Sequence, residues 1–339
     1  MKQMRVLIAR IDRIGDVVLS TPLPREIKKK YPNSFIAVLV KHYTKDIYIN
    51  NPNVDEIICY DNSDKTEKSF WQIVREVRRY KFSHAFMLLP NEKLNYVFFA
   101  AGIKYRVGVG HKLYQFLTFT KFVDRKKYIS LRHEADYCLD MVRKVGIEVT
   151  EIHPEIFLSE SEKAEALELK NKFKSGGKIL IGINATSGNS APNLSIKTYL
   201  DLINRLSKNP IYKILITDYN PPSELRNLPG VEYIFEGEGL RKNILRFSVL
   251  DLLISSSTGP MHICAALKVP TLAFFCPLTA CSPKLWGPLG NKSDIVLPEQ
   301  KYCDTQCPID PKKCDYSKEG GLTGAGIAER VDKFIAEII

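Results

Sequence analysis

Apolar residues along this chain gather into short, nearly unbroken runs separated by longer amphipathic stretches. In the first half the runs fall at 5–11, 35–40, 56–60 and 85–89, and helical spacing falls between them at 16–31, 68–80 and 93–102. Runs of that length read as strands covered on both faces, and strands alternating with helices read as βαβ units of a parallel sheet. The stretch 106–127 is irregular, basic and aromatic, and a helix over 132–144 stops at Gly146. A polar segment, 159–177, has helix character over 162–173 and ends at Gly176-Gly177. The alternation then restarts, with strands predicted at 178–183, 213–217, 231–235, 250–255 and 271–275 and helices at 195–207, 240–247 and 260–267. Residues 277–321 are rich in Pro, Gly and Cys and read as mostly loop before a last helix at 325–338. The expectation is an α/β chain of two doubly wound domains, 1–160 and 161–321, with a closing helix in 322–339. Ligands are expected at the carboxyl ends of the strands, and a cleft between the domains is the natural active site.

Composition changes this picture little. The 339 residues are 45% hydrophobic and 26% charged, which excludes wholesale disorder. No apolar run approaches the ~18 residues of a membrane span. The first run, 6–9, is broken by Arg10 and is too short for a secretory signal. A cytoplasmic location with eight mostly reduced cysteines is therefore expected. Charge is more informative. Residues 1–150 hold 27 Lys and Arg against 16 Asp and Glu, a net of +11, while the remainder holds 22 of each. Such a half attracts a phosphorylated substrate, an anionic lipid surface or nucleic acid. No zinc-finger, RRM or KH signature accompanies it, so nucleic acid is set aside.

Four segments carry candidate chemistry. Arg10-Ile-Asp-Arg-Ile-Gly-Asp16, followed by Ser20-Thr-Pro22, sits where a strand becomes a helix. Gly15 would let the backbone turn tightly. Asp16 would either cap the helix or take a proton from a sugar hydroxyl while Arg10 and Arg13 hold an anionic acceptor. The dinucleotide fingerprint G-x-G-x-x-G is missing from this turn. Ser255-Ser-Ser-Thr-Gly-Pro-Met-His262 repeats the strand-to-helix arrangement. There Thr258 or Ser257 can cap, Pro260 suits the first turn, Gly259 admits a ligand to the backbone, and His262 lies one turn in. Such a helix start binds a diphosphate or is simply a well-capped core helix. Asn184-Ala-Thr-Ser-Gly-Asn-Ser190 is a turn whose hydroxyls suit phosphate, though small polar residues fill most such turns. Cys303, Cys307 and Cys314 admit a zinc site with Cys276 or Cys281, but their spacing matches no standard one and a loop of reduced thiols is preferred.

Taken in order, these segments resemble glycosyltransferase family 9, the ADP-heptose:lipopolysaccharide heptosyltransferases. The strongest carriers are Ile14-Gly-Asp-Val-Val-Leu-Ser-Thr-Pro22 and Ser257-Thr-Gly-Pro-Met-His-Ile-Cys-Ala-Ala-Leu-Lys-Val-Pro270. Lys104-Tyr-Arg-Val-Gly108, His133-Glu134, Val145-Gly-Ile147 and the late cysteine loop support them. The resemblance implies a GT-B fold, two Rossmann-like domains facing a central cleft, with the last helix returning to the N-terminal domain. It implies inverting transfer without metal or other cofactor. The first domain would bind acceptor through Arg10, Arg13 and Gly15, with Asp16 as catalytic base. The second would bind the nucleotide-sugar, by implication ADP-heptose, through Thr186, Ser187, Glu224, Ser257, Thr258, Gly259 and His262. The implied acceptor is a phosphorylated glycolipid core or related glycan, which allows a peripheral place on the inner face of the inner membrane. The sequence departs from the family pattern at three points. Ser257 stands where an acid usually opens the second motif, Ala191-Pro-Asn193 where a basic residue follows the phosphate turn, and the last cysteine of the late loop is missing. The alternatives are a transferase or epimerase of this architecture using another nucleotide-sugar, and a homologue that binds nucleotide-sugar or glycan but has lost its chemistry.

Overall fold

The structure, a computed structural model, describes residues 3–174, 176–189, 191–235 and 237–338. The chain divides into two compact units, Met1–Phe157 and Leu158–Ile339. In the first unit the strands are β1 (Arg5–Ala9), β2 (Phe35–Val40), β3 (Glu56–Cys59), β4 (His84–Met87), β5 (Tyr105–Val109) and β6 (Lys121–Val123). Its helices are α1 (Ile14–Val18), α2 (Pro22–Lys30), α3 (Phe70–Arg79), α4 (Glu92–Ala100), α5 (Leu113–Leu117), α6 (Glu134–Cys138) and α7 (Asp140–Arg143). In the second unit the strands are β7 (Ile179–Asn184), β8 (Tyr212–Ile216), β9 (Val231–Glu232), β10 (Leu252–Ser256), β11 (Thr271–Phe274) and β12 (Ser293–Val296). Its helices are α8 (Glu160–Phe173), α9 (Ile196–Leu206), α10 (Leu240–Phe247), α11 (Gly259–Ala266), α12 (Pro283–Trp286), α13 (Gln300–Thr305) and α14 (Gly324–Ile338).

Each unit is one six-stranded sheet, ordered β3-β2-β1-β4-β5-β6 and β12-β11-β10-β7-β8-β9. All neighbours run parallel. Central strands such as Phe35-Ile-Ala-Val-Leu-Val40 are apolar at every position because helices cover both faces. In both units the chain leaves the first strand toward one edge and returns to start the other half beside it. The strand order therefore reverses between β1 and β4 and between β7 and β10. Ligands of such sheets bind beyond the carboxyl ends at those reversals.

The helices start where local chemistry caps them. Ser69 and Gln72 close a capping box on α3, Ser159 and Glu162 one on α8, while Asn91 and Ser195 cap α4 and α9. The single helix expected over 16–31 is two, because Pro22 and Pro24 lack the N–H a continuous helix requires. The Ser20 and Thr21 hydroxyls bond back to the carbonyls of Val17 and Val18 at that break. The stretch read above as irregular contains β5, α5 and β6, and the late loop contains β12, α12 and α13. The last helix, expected to return to the first domain, instead lays Ile327, Val331, Phe334 and Ile335 into the second unit's core against α9. Those residues fall on one helical side, so that core accounts for its apolar face.

Candidate functional site

In the first unit, β1 runs into Arg10 at the strand reversal. Arg10 is 4% exposed and spreads its guanidinium over three carboxylates. Nε donates to Asp12 at 2.8 Å, Nη2 to Asp16 at 2.5 Å, and Nη1 to Glu134 at 3.3 Å. Nη1 also donates to the carbonyl of Leu88, just beyond β4, at 3.2 Å. Burial disfavours the guanidinium charge, and Asp12, Asp16 and Glu134 more than restore it. Glu134, also buried, receives both Arg125 Nη1 at 2.7 Å and Nη2 at 2.9 Å. Burial outweighs Arg10 at Asp12 and, with the Asp16 charge, raises its carboxyl to about 6.

Asp16 does not cap its helix. The capping position of α1 is Arg13, without a side-chain cap, and Asp16 sits in the first turn with its carboxylate on Arg10. The Asp16 side chain is 19% exposed and that of Asp12 20%, so both of these carboxylates combine a bond to Arg10 with access to solvent, while Glu134 is buried. Arg13 is exposed, as an acceptor-contacting cation would be. Gly15 is the second residue of α1 and keeps a helical backbone, so the tight turn expected of it does not occur. Ser20 and Thr21 are structural: Ser20 also meets the buried Tyr48 hydroxyl at 2.8 Å, and Thr21 accepts from the amide of Glu155.

In the second unit, the matching reversal gathers three loop starts. Asn184 ends β7, Asp218 follows β8, and Thr258 follows β10. The buried Asp218 carboxylate accepts from Asn184 Nδ2 at 2.9 Å, from the amides of Ala185 and Thr186 at 2.8 Å each, and from Thr186 Oγ1 at 2.5 Å. Thr258 Oγ1 lies 3.3 Å from Asn184 Oδ1. Thr258 occupies the capping position of α11, yet its hydroxyl makes no cap hydrogen bond because it is turned to Asn184. The first turn of α11, with Pro260 in it, thus lacks a side-chain cap at its positive end, the arrangement that suits an anion. His262 is buried one turn in, its amide bonded to the Thr258 carbonyl at 3.3 Å. Gly259 and Ser257 are half-buried beside it.

The structure therefore brings Thr186, Thr258, Gly259 and His262 to one strand-end cluster. Ser187 turns its hydroxyl to the Ala191 carbonyl at 3.1 Å, closing the loop it was expected to open to phosphate. Ser190 lies outside the described residues. Glu224 stands in a separate turn, exposed, accepting from its neighbour Ser223. The basic residue missing after the phosphate turn is replaced by structure: Asn193 donates to the Ala185 carbonyl at 2.6 Å and accepts from Tyr199 at 2.7 Å. Sequence reasoning missed Asp218, Glu134 and Arg125 as site residues. Asp218 was signalled by its place two residues beyond an apolar strand, and Glu134 stood in the supporting His133-Glu134 match without a site role; nothing local distinguished Arg125. All eight cysteines are free thiols. Burial, with nearby Cys281, Cys303 and Cys314, pushes Cys276 up to about 11. Among the described residues no group of three or more His, Cys, Asp or Glu is placed to hold a metal ion.

Comparison with known proteins places the chain in a family and agrees with its fold. The model of glycosyltransferase family 9 (heptosyltransferase) matches residues 70–313. A provisionally named glycosyltransferase of Haemophilus influenzae is 27% identical over 301 residues, 85% of this chain and 86% of that protein. The lipopolysaccharide heptosyltransferase 2 of Escherichia coli is 22% identical over 323 residues, 86% and 88% of the two chains. Among solved structures, a family 9 glycosyl transferase of Veillonella parvula superposes with a TM-score of 0.80 at 20% identity, covering 98% of this chain and 97% of that one. The ADP-heptose lipopolysaccharide heptosyltransferase II of E. coli gives 0.74 at 18% identity, covering 98% and 99%. The two Rossmann-like units are those of the GT-B fold.

Proposed function

From the premise that the chain belongs to glycosyltransferase family 9, we propose that it moves a heptose from ADP-heptose onto a phosphorylated lipopolysaccharide-core or related glycan acceptor, inverting the anomeric carbon in a single displacement. The observation that carries this reading is the Asp16 carboxylate, held at 2.5 Å by a buried arginine and still open to solvent. In the reaction the acceptor hydroxyl attacks the anomeric carbon of the donor while its proton passes to Asp16. The bond from that carbon to the nucleoside diphosphate breaks, and the electron pair leaves with the diphosphate. General-base help of this kind is worth about 10²–10⁴ in rate. Arg10 keeps Asp16 oriented, and Arg13 meets the anionic acceptor. The diphosphate gains charge as it leaves, and the start of α11 with Thr258, Gly259 and His262 is the group proposed to receive it. The proposed reaction assigns no metal or other cofactor to this step. The net charge of the first 150 residues suits an acceptor borne on an anionic membrane face.

Thermal shift against ADP, UDP, GDP, CMP and ADP-heptose tests the donor. A ligand held by the native state alone raises the melting temperature by linkage, so ADP and ADP-heptose should stand above the others. Equal shifts for all, or a preference for UDP or GDP, would remove ADP-heptose. The serine at position 257 in place of an acid favours a second reading, a homologue that binds the donor without transferring it. Donor binding with no transfer across a panel of phosphorylated acceptors would decide for that reading.

A further inference from the structure

The segment between β5 and β6 is built inside out. In a water-facing helix the polar side meets solvent and the apolar side meets the core. In α5 and the turn after it the polar groups point inward. Gln115 is buried, donates to the Val109 carbonyl at 3.1 Å and accepts from the Lys112 amide at 2.9 Å. Its amide lies over Gly108, where a Cβ would stand 2.8 Å from Nε2, so a side chain there would displace it. Thr118 and Thr120 are buried as well. Asn95 Nδ2 donates to Thr118 Oγ1 at 2.5 Å and to the Tyr114 carbonyl at 3.1 Å, and Thr120 Oγ1 donates to Asn95 Oδ1 at 2.9 Å. Arg106 donates to the Thr118 carbonyl. These bonds fix the segment in one orientation. The side left facing outward carries Leu113, Phe116, Leu117 and Phe119, which are 74%, 79%, 55% and 81% exposed. They form one apolar face on a framework pinned from behind, and nothing among the described residues covers it.

Cations are concentrated in the same segment of chain. From 111 to 129 there are five Lys and Arg against the single acid Asp124. Lys112, Lys121, Lys126 and Lys127 are all exposed. Exposed apolar side chains with exposed lysines in the same short segment match a bilayer surface in chemistry and charge: acyl chains take the rings, and anionic headgroups take the ammonium groups. We propose that the outward face of residues 112–127 is a docking surface for an anionic phospholipid bilayer, with Phe116 and Phe119 inserted at the headgroup boundary. Choosing a bilayer over another apolar partner rests on the glycolipid acceptor proposed above, and this surface would hold the enzyme where such an acceptor is anchored.

The test is co-sedimentation with vesicles of phosphatidylcholine containing about one-third phosphatidylglycerol, beside pure phosphatidylcholine. The full chain should pellet with the anionic vesicles. Phe116→Ser with Phe119→Ser should lower its partition coefficient by at least roughly tenfold while the melting temperature stays put, because both rings are already solvated. Leu113→Ser should act in the same direction with a smaller effect. Raising salt from about 0.1 M to about 1 M should weaken binding through screening of the lysines. Equal pelleting of wild type and double variant, or none by either, overturns the proposal. So does a dimer in sedimentation velocity that the double variant dissolves without any effect of vesicles, since the face is then an interface between copies. Transfer to a soluble acceptor fragment separates this inference from the proposed function. Transfer without vesicle binding sinks the docking surface alone, and vesicle binding without transfer sinks the heptosyl reading alone.

Discussion

Replacing Asp16 by Asn separates the two things its carboxylate does. It orients on Arg10, and it is proposed to accept a proton. Asparagine keeps an Oδ1 acceptor in nearly the same place, so the bond to Arg10 Nη2 survives in neutral form. A charge-assisted hydrogen bond exceeds a neutral one by about 1 kcal/mol. Arg10 retains Asp12 at 2.8 Å, Glu134 at 3.3 Å and the Leu88 carbonyl at 3.2 Å, so it is not left unpaired. For a unit of this size about 1 kcal/mol lowers the melting temperature by roughly 2–4 °C. Proton acceptance is another matter, because the amide takes up no proton near neutral pH. The lost factor of about 10²–10⁴ corresponds to about 2.7–5.4 kcal/mol of transition-state stabilisation. The assay is steady-state transfer at saturating donor and acceptor, read beside a melting curve and a nucleotide thermal shift. The expected result is kcat down by at least roughly a hundredfold, a melt within a few degrees of wild type, and an unchanged nucleotide shift. Turnover within about tenfold of wild type would refute the base assignment. A melting temperature lower by far more than the few degrees worked out here would show that Asp16 serves the buried arginine first.

Two further outcomes follow from single bonds in the structure. Asp218→Ala leaves the amides of Ala185 and Thr186 and the Asn184 side chain without their acceptor. Calorimetric titration should show weaker nucleoside-diphosphate binding, and the fold should lose about 1–3 kcal/mol, whereas unaltered affinity would detach this cluster from the donor. Glu26 should make the first unit acid-sensitive. Burial favours its neutral form, but the Thr150 amide, Lys29 and Arg25 overcome that and lower its carboxyl to about 2. With its folded pKa below its unfolded one, the stability it contributes is complete above about 4.5 and is lost as pH falls toward 2. The melting temperature of Glu26→Gln should therefore depend less steeply on pH than that of wild type in that window; parallel curves would contradict the linkage.

How much of this was legible beforehand varied with the reach of the interaction. The central strands β1, β2, β7 and β10 were readable because burial on both faces leaves a nearly unbroken apolar run in each. Of the edge strands, β3 and β9 fell within predicted runs, and β6 and β12 did not. Lys121-Phe-Val123 is short, and two of its three residues are exposed, so its run looks like loop. Ser293-Asp-Ile-Val296 at the other sheet's edge is also short, and none of its residues is fully buried. The last helix, expected to return to the first domain, packs into the second unit's core. Its sequence shows an apolar side but not which surface that side meets.

The candidate site shows the same division. Sequence alone determined that Asp16 follows a strand and that Thr258-Gly-Pro begins a helix, because strand-to-helix turns are set by neighbours in the chain. Tertiary structure alone decided that Asp16 leans on Arg10 rather than on its own helix start. It also placed Glu134, 124 residues from Arg10, beneath both Arg10 and Arg125, and let Asp218 organise the turn of Thr186 from a neighbouring strand. It was also the tertiary structure that turned Phe116 and Phe119 outward, through bonds made by Asn95 and Arg106 to the turn between them. Periodicity records which residues share a side of an element. The direction that side faces depends on partners distant in the chain, and burial and hydrogen bonding are settled only when those partners arrive.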